Sequence, residues 1–291
     1  MYGSKLLDIL ATLDKGEWKA LNAFIKSPFF NKNEAIVGLF ELLKQAGPVY
    51  REDEVDRYLI WSKLFPDRAP EEREIRYLMS AMLRLVEEFL GQQFYKAQKL
   101  LHHQHILEAC HLRGLKKHYR HYIRQMEKKL ENYPFRDEVF YQSQYQLEEI
   151  KTGFTLRHSP RSFESSLQAT VDSLDDFYLI IKLRLTCELV NRQNIVLGTY
   201  DIRLVDELGG FIEGYDFQRV PAVEIHFRIL NLLTSPNPAP HFQRLKILIG
   251  EKLHLLDLES QQQVFSYAQN FCIKRIKLGE QAFSEELLLC I

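Results

Sequence analysis

Apolar residues recur every three to four positions along much of this 291-residue chain, and no segment of any length alternates with a period of two. Ile36, Leu39, Phe40 and Leu43 trace one helical face. Ile75, Leu78, Met79, Met82, Val86 and Phe89 trace another, and Val264, Tyr267, Ala268, Phe271 and Cys272 a third. Such a chain buries its apolar stripes helix against helix. The expected fold is therefore all-α, with antiparallel helix pairs forming a tetratricopeptide-like α-α superhelix.

The punctuation fits this reading. Asp14 followed by Glu17 matches a capping box. Pro70 with Glu71, Glu72 and Glu74 reads as the first turn of a helix, where proline loses nothing and carboxylates meet the positive dipole end. Breaks are expected at Ser27-Pro28, Gly47-Pro48, Phe65-Pro66, Tyr133-Pro134, Ser159-Pro160, Gly209-Gly210 and Ser235-Pro236. The run from Ser235 to Pro240 reads as a stiff inter-helix loop in preference to an interdomain linker.

A softer boundary near Gly91 to Leu100 divides an irregular N-terminal module, residues 1–95, from a degenerate helical-repeat array, residues 96–291. Before it the segments look short; after it they look like long helices. Within the array, Gln98 to Pro134 spans about one tetratricopeptide unit, with Ala109 as its small residue and Gly114 at its turn. Tyr267 to Phe283 is a second partial match. The chain then closes on Leu287, Leu288, Leu289, Cys290 and Ile291, an apolar run without a cap. That run implies a native protein continuing beyond Ile291.

The net charge of −1 supplies no global field to attract nucleic acid or anionic membrane, so any polyanion site has to be a local patch. Cys110, Cys187, Cys272 and Cys290 lie far apart among apolar neighbours and read as small buried hydrophobes. Asp8 interrupts any signal-peptide core, and no apolar run reaches the roughly 18 residues that span a bilayer. A cytoplasmic location without membrane contact is the expectation.

The N-terminal string Glu17-Trp18, then Phe24-Ile25-Lys26-Ser27-Pro28-Phe29-Phe30-Asn31-Lys32-Asn33, resembles the opening of a family of uncharacterised helical Bacteroidota proteins with tetratricopeptide-like repeats. Leu64-Phe65-Pro66, Arg76-Tyr77-Leu78-Met79-Ser80, Glu88-Phe89-Leu90, Pro134-Phe135-Arg136-Asp137 and Asn270-Phe271-Cys272-Ile273 are similar to later blocks. The resemblance spans most of the chain. It implies an α-helical repeat fold in a longer protein and brings no activity or functional residues with it.

One stretch carries unusual chemistry. Arg113, Lys116, Lys117, Arg120, Arg124, Lys128 and Lys129 are opposed within residues 113–129 only by Glu127, a local surplus of six charges. Lys116, Arg120 and Arg124 stand at i, i+4 and i+8, forming a stripe suited to a phosphate backbone, and Tyr119 and Tyr122 are placed to stack bases. The competing reading is a solvated face paired with Glu148, Glu149, Asp172, Asp175 and Asp176. Six histidines lie nearby, at 102, 103, 105, 111, 118 and 121, but they spread around several helix faces, so no metal site is expected. Phe29 and Phe30 read as a hydrophobic corner or as a docking knob.

No Gly-rich phosphate loop, GxSxG elbow or kinase signature set occurs in the chain. The expected function is a non-catalytic protein–protein interaction scaffold without cofactor. The alternative is single-stranded nucleic-acid binding through residues 113–129.

Overall fold

The computed structural model describes residues 1–47, 49–158, 165–196, 198–203, 209–210, 212, 214–215 and 220–288. Among them there are thirteen α-helices, one short 3-10 turn and no strand, so the chain is all-α. It divides into two compact units, Met1–Lys99 and Leu100–Ile291. The Ser159-Pro160 break, Pro48 and the last three residues of the apolar end, 289–291, lie outside the described residues.

The first unit holds α1 (Lys5–Thr12), α2 (Lys15–Ile25), α3 (Glu34–Ala46), α4 (Arg57–Leu64) and α5 (Glu72–Ala97). Helix α5 is the spine on which α1, α2 and α3 pack. Its buried residues Ile75, Met82, Val86 and Phe89 follow the helical period, with Leu78 and Met79 half-buried beside them. All four apolar positions expected on α3 are buried. Two expectations are corrected. The N-terminal segments are not uniformly short, because α5 alone runs for 26 residues. Pro70 lies outside α5, which starts at Glu72 with Glu71 as its N-cap; Glu72 and Glu74 alone occupy the first turn.

The capping box forms as expected. The Glu17 amide donates to Asp14 at 2.8 Å, and the Asp14 amide donates to Glu17 at 2.9 Å. Asp14→Ala frees one helix-end donor and should lower stability by about 1 kcal/mol, seen as a lower urea midpoint at unchanged slope. At the other end of α2, Pro28 keeps the chain from continuing, and the Asn33 side chain accepts from the Ala35 amide at 3.0 Å to start α3.

The second unit holds α6 (Lys99–Leu112, beginning at the boundary), α7 (Lys116–Glu131), α8 (Glu138–His158), α9 (Ser165–Ile195), α10 (Pro221–Thr234), α11 (Ala239–Lys252), α12 (Leu258–Lys277) and α13 (Phe283–Leu288). Successive helices pack on one another: α7 on α8, α8 on α9, α9 on α10, α10 on α11 and α12 on α13. Helices α8 and α9 run antiparallel. Arg184 pairs with Glu138 at 3.0 Å near one end, and Thr152 meets Thr170 at 2.9 Å near the other.

Two apolar clusters fill this unit. Leu107, Met126, Leu130 and Leu147 join α6, α7 and α8. Leu183, Val223, Ile229, Phe242, Leu248 and Val264 are among those joining α9 to α12. The Ser235–Pro240 run is a short connection inside this second cluster's framework: Ser235 caps α10, and Pro240 already lies in the first turn of α11. Cys110, Cys187 and Cys272 are free and buried, whereas Cys290 lies outside the described residues.

Candidate interaction surface on the basic helix

Helix α7 begins from a tight reversal. Gly114 has φ +65°, its amide bonds the His111 carbonyl at 3.0 Å, and the Leu115 amide bonds the Cys110 carbonyl at 2.9 Å. These two bonds make a Schellman motif closing α6, with glycine where a left-handed residue is required. The turn folds α7 back so that Tyr119, Met126 and Leu130 are buried.

The opposite arc of α7 is cationic. Lys116, Lys117, Arg120, Arg124 and Lys128 are all exposed and fall within about one third of the helix circumference. Lys116, Arg120, Arg124 and Lys128 repeat every fourth residue, spaced about 6 Å along the axis over about 18 Å. Among the described residues none of these five side chains has a carboxylate within pairing distance. Several of the candidate acids take other partners. Glu127 and Glu148 both hold Lys151, at 2.8 and 2.9 Å, Asp172 accepts from Gln168 at 2.8 Å, and Asp176 accepts from Tyr215. Among the described residues, the stripe pairs with none of the five acids expected to meet it, Glu148, Glu149, Asp172, Asp175 and Asp176.

This arrangement costs α7 stability. Like charges at i and i+4 repel by about 0.2–0.5 kcal/mol per pair. Lys116 and Lys117 also sit at the positive end of the helix dipole, and Leu115 offers no side-chain cap.

Three of the residues singled out in the sequence have other duties. Arg113 turns back to the Ala109 carbonyl at 3.2 Å, on the closing turn of α6. Tyr119 is 4% exposed, stacked on Phe154 with ring centroids 4.0 Å apart, and donates to the Ile150 carbonyl at 3.3 Å. Burial, aided by Glu148 and Glu127, pushes its hydroxyl up to about 12. Its ring therefore has no face for a base, which corrects the stacking role expected from the sequence. Tyr122 is half-buried, with edge-on contacts to His103 and His121.

Phe29 and Phe30 separate. Phe30 stacks on Phe24 at 4.0 Å and plugs the corner between α2 and α3, while Phe29 is 86% exposed. Phe30, Asn31, Lys32, Ile36 and Arg84 line an open cavity of about 420 Å³. Among the described residues no group of three His, Cys, Asp or Glu side chains is arranged to hold a metal ion.

A polar assembly inside the second unit escaped the sequence. Glu224, 3% exposed on α10 between the buried Val223 and Ile225, is held by Arg244 at 2.8 Å and Lys252 at 3.2 Å. Beside it in sequence, the buried His226 has its Nδ1 2.8 Å from the Ala222 carbonyl, and the Cys187 thiol donates to the His226 carbonyl at 3.3 Å. This contact is not a nucleophile–base pair, because the thiol meets the backbone oxygen and not the ring. Burial pushes the Cys187 thiol up and lowers the His226 ring to about 4, so both stay neutral near pH 7. The only sequence signal was one acid among apolar neighbours.

No family model matches the chain, nor does any curated protein or solved structure. Among the described residues no helix is long and apolar enough to cross a membrane.

Proposed function

We infer that this protein is a non-catalytic interaction scaffold of tetratricopeptide-like, helical-repeat type, and that α7 docks an acidic segment of a protein partner. The observation carrying this reading is the open arc of Lys116, Lys117, Arg120, Arg124 and Lys128, free of carboxylates among the described residues. A face that costs helix stability and returns no internal ion pair has its natural use in binding. The α6–α7 hairpin, closed at Gly114, coincides with the Gln98–Pro134 repeat unit. The resemblance to helical Bacteroidota proteins and a cytoplasmic setting belong to the same proposal, with the exposed Phe29 as a second docking point.

An acidic peptide fits better than single-stranded nucleic acid. Sequence-tolerant strand binders combine a cationic track with aromatic platforms, and here Tyr119 is buried and Tyr122 packs edge-on against histidines.

The test is fluorescence anisotropy with a labelled polyglutamate 15-mer and an oligouridine 15-mer over a salt series. Salt-sensitive binding of the peptide, weakened about tenfold or more in Lys116→Glu/Arg120→Glu/Arg124→Glu, is expected. The same variant should melt no lower than the wild type, since it removes repulsion and places an acid at the helix start. Tighter binding of the oligonucleotide transfers the site to nucleic acid. Binding of neither overturns the proposal.

A further inference from the structure

Helix α9 is apolar on two opposite faces. Leu179, Ile180, Leu183, Cys187 and Val190 are buried in the second unit. On the far side Leu167, Val171, Leu174, Tyr178 and Leu185 are between 41% and 49% exposed, with Ile181 half-buried among them. The spacing 167, 171, 174, 178, 181, 185 alternates fours and threes. That is the 3.5-residue period of a coiled-coil seam, running about 27 Å along the helix. A seam of this period is read by another helix, whose side chains seat as knobs between its own.

The charges beside the seam indicate which helix. Asp175 and Lys182 lie on the same flank, seven residues apart, each following a seam residue, and neither has an ion-pair partner among the described residues. In an antiparallel pair, equivalent flanks face each other. When Leu174 of one copy lies against Leu185 of the other, Tyr178 falls against Ile181. Each Asp175 then falls beside the other copy's Lys182, giving two pairs related by a twofold axis. Sliding by one heptad sets Asp175 against Asp175. In a parallel pair Asp175 and Lys182 would face Thr170 and Phe177, which carry no charge.

We propose that the exposed face of α9 is a self-association surface, on which two copies of this chain pack antiparallel in the register that pairs Asp175 with Lys182. The seam is one helix wide, so the dimer is a weak one, with a dissociation constant in the micromolar range. This surface is separate from the basic arc of α7 and does not depend on it.

The test is sedimentation equilibrium on the full chain. A reversible monomer–dimer equilibrium is expected, abolished by Tyr178→Glu, with far-UV circular dichroism confirming that the variant stays helical. Asp175→Lys and Lys182→Asp should each weaken the dimer about tenfold, because both pairs become repulsive. An equimolar mixture of these two variants should recover wild-type affinity, since opposite charges meet again only in the mixed dimer. A wild type that stays monomeric through the micromolar range overturns the proposal. So does a dimer that persists in Tyr178→Glu, or a mixture that fails to recover.

Discussion

Arg244→Ala combined with Lys252→Ala should cost the second unit about 3–5 kcal/mol, the range for stranding a buried charge. In the native structure Glu224 is almost wholly enclosed, and these two cations are its ion-pair partners, at 2.8 and 3.2 Å. Removing them leaves a largely enclosed carboxylate without these two counter-charges. The reverse deletion should be milder. Glu224→Leu removes the desolvated group itself, and the cation heads, with side chains 38% and 22% exposed, can turn outward. Urea unfolding followed by helicity should therefore rank the double cation variant far below Glu224→Leu. The opposite order would show that the cations, and not the acid, bear the cost of burial.

Acid should weaken the fold through His226. Its folded-state value lies near 4, chiefly because burial disfavours the charged ring, with the Ala222 carbonyl opposing and Arg184 assisting. The unfolded chain takes up this proton near pH 6.5, so the stabilising difference is fully present above about pH 6.5. As pH falls from there toward about 4, the folded state resists a proton that the unfolded state accepts. Stability is then lost at up to about 1.4 kcal/mol per pH unit, about 3 kcal/mol across the window. Asp137 acts in the other sense: burial raises its carboxyl, so the folded form holds a proton more readily as pH falls. The informative quantity is thus the difference between wild type and His226→Asn, which keeps a donor near the Ala222 carbonyl. Urea midpoints from pH 7.5 to 4.5 should fall more steeply for the wild type. Parallel profiles would remove His226 as the cause.

Elements governed by neighbours in sequence are legible from the residues alone. The Asp14–Glu17 box, the Asn33 cap, the Gly114 reversal and the buried faces of α3 and α12 all follow from contacts within a few residues. Tyr119 carries two competing signals, the cations beside it and its spacing to Ile123, Met126 and Leu130. The spacing wins, because it places the ring on the apolar face that α7 buries. The start of α5 at Glu72 illustrates how a proline next to acids fixes a helix end only to within two residues. The destinations of Glu127, Glu148 and Glu224 are beyond such reading, because each depends on which helix packs alongside. Lys151 collects the first two, and Arg244 and Lys252, 20 and 28 residues downstream, collect the third.

The division after Lys99 also sorts the chain's natural reporters. Both tryptophans, Trp18 and Trp61, belong to the first unit, and all four cysteines lie beyond residue 100. Emission from the indoles follows loosening of the first unit, and titration of the buried Cys110, Cys187 and Cys272 thiols follows exposure of the second. Two optical and chemical clocks thus run on one unlabelled polypeptide. Whether they keep the same time tells how tightly the melting of one unit is tied to that of the other.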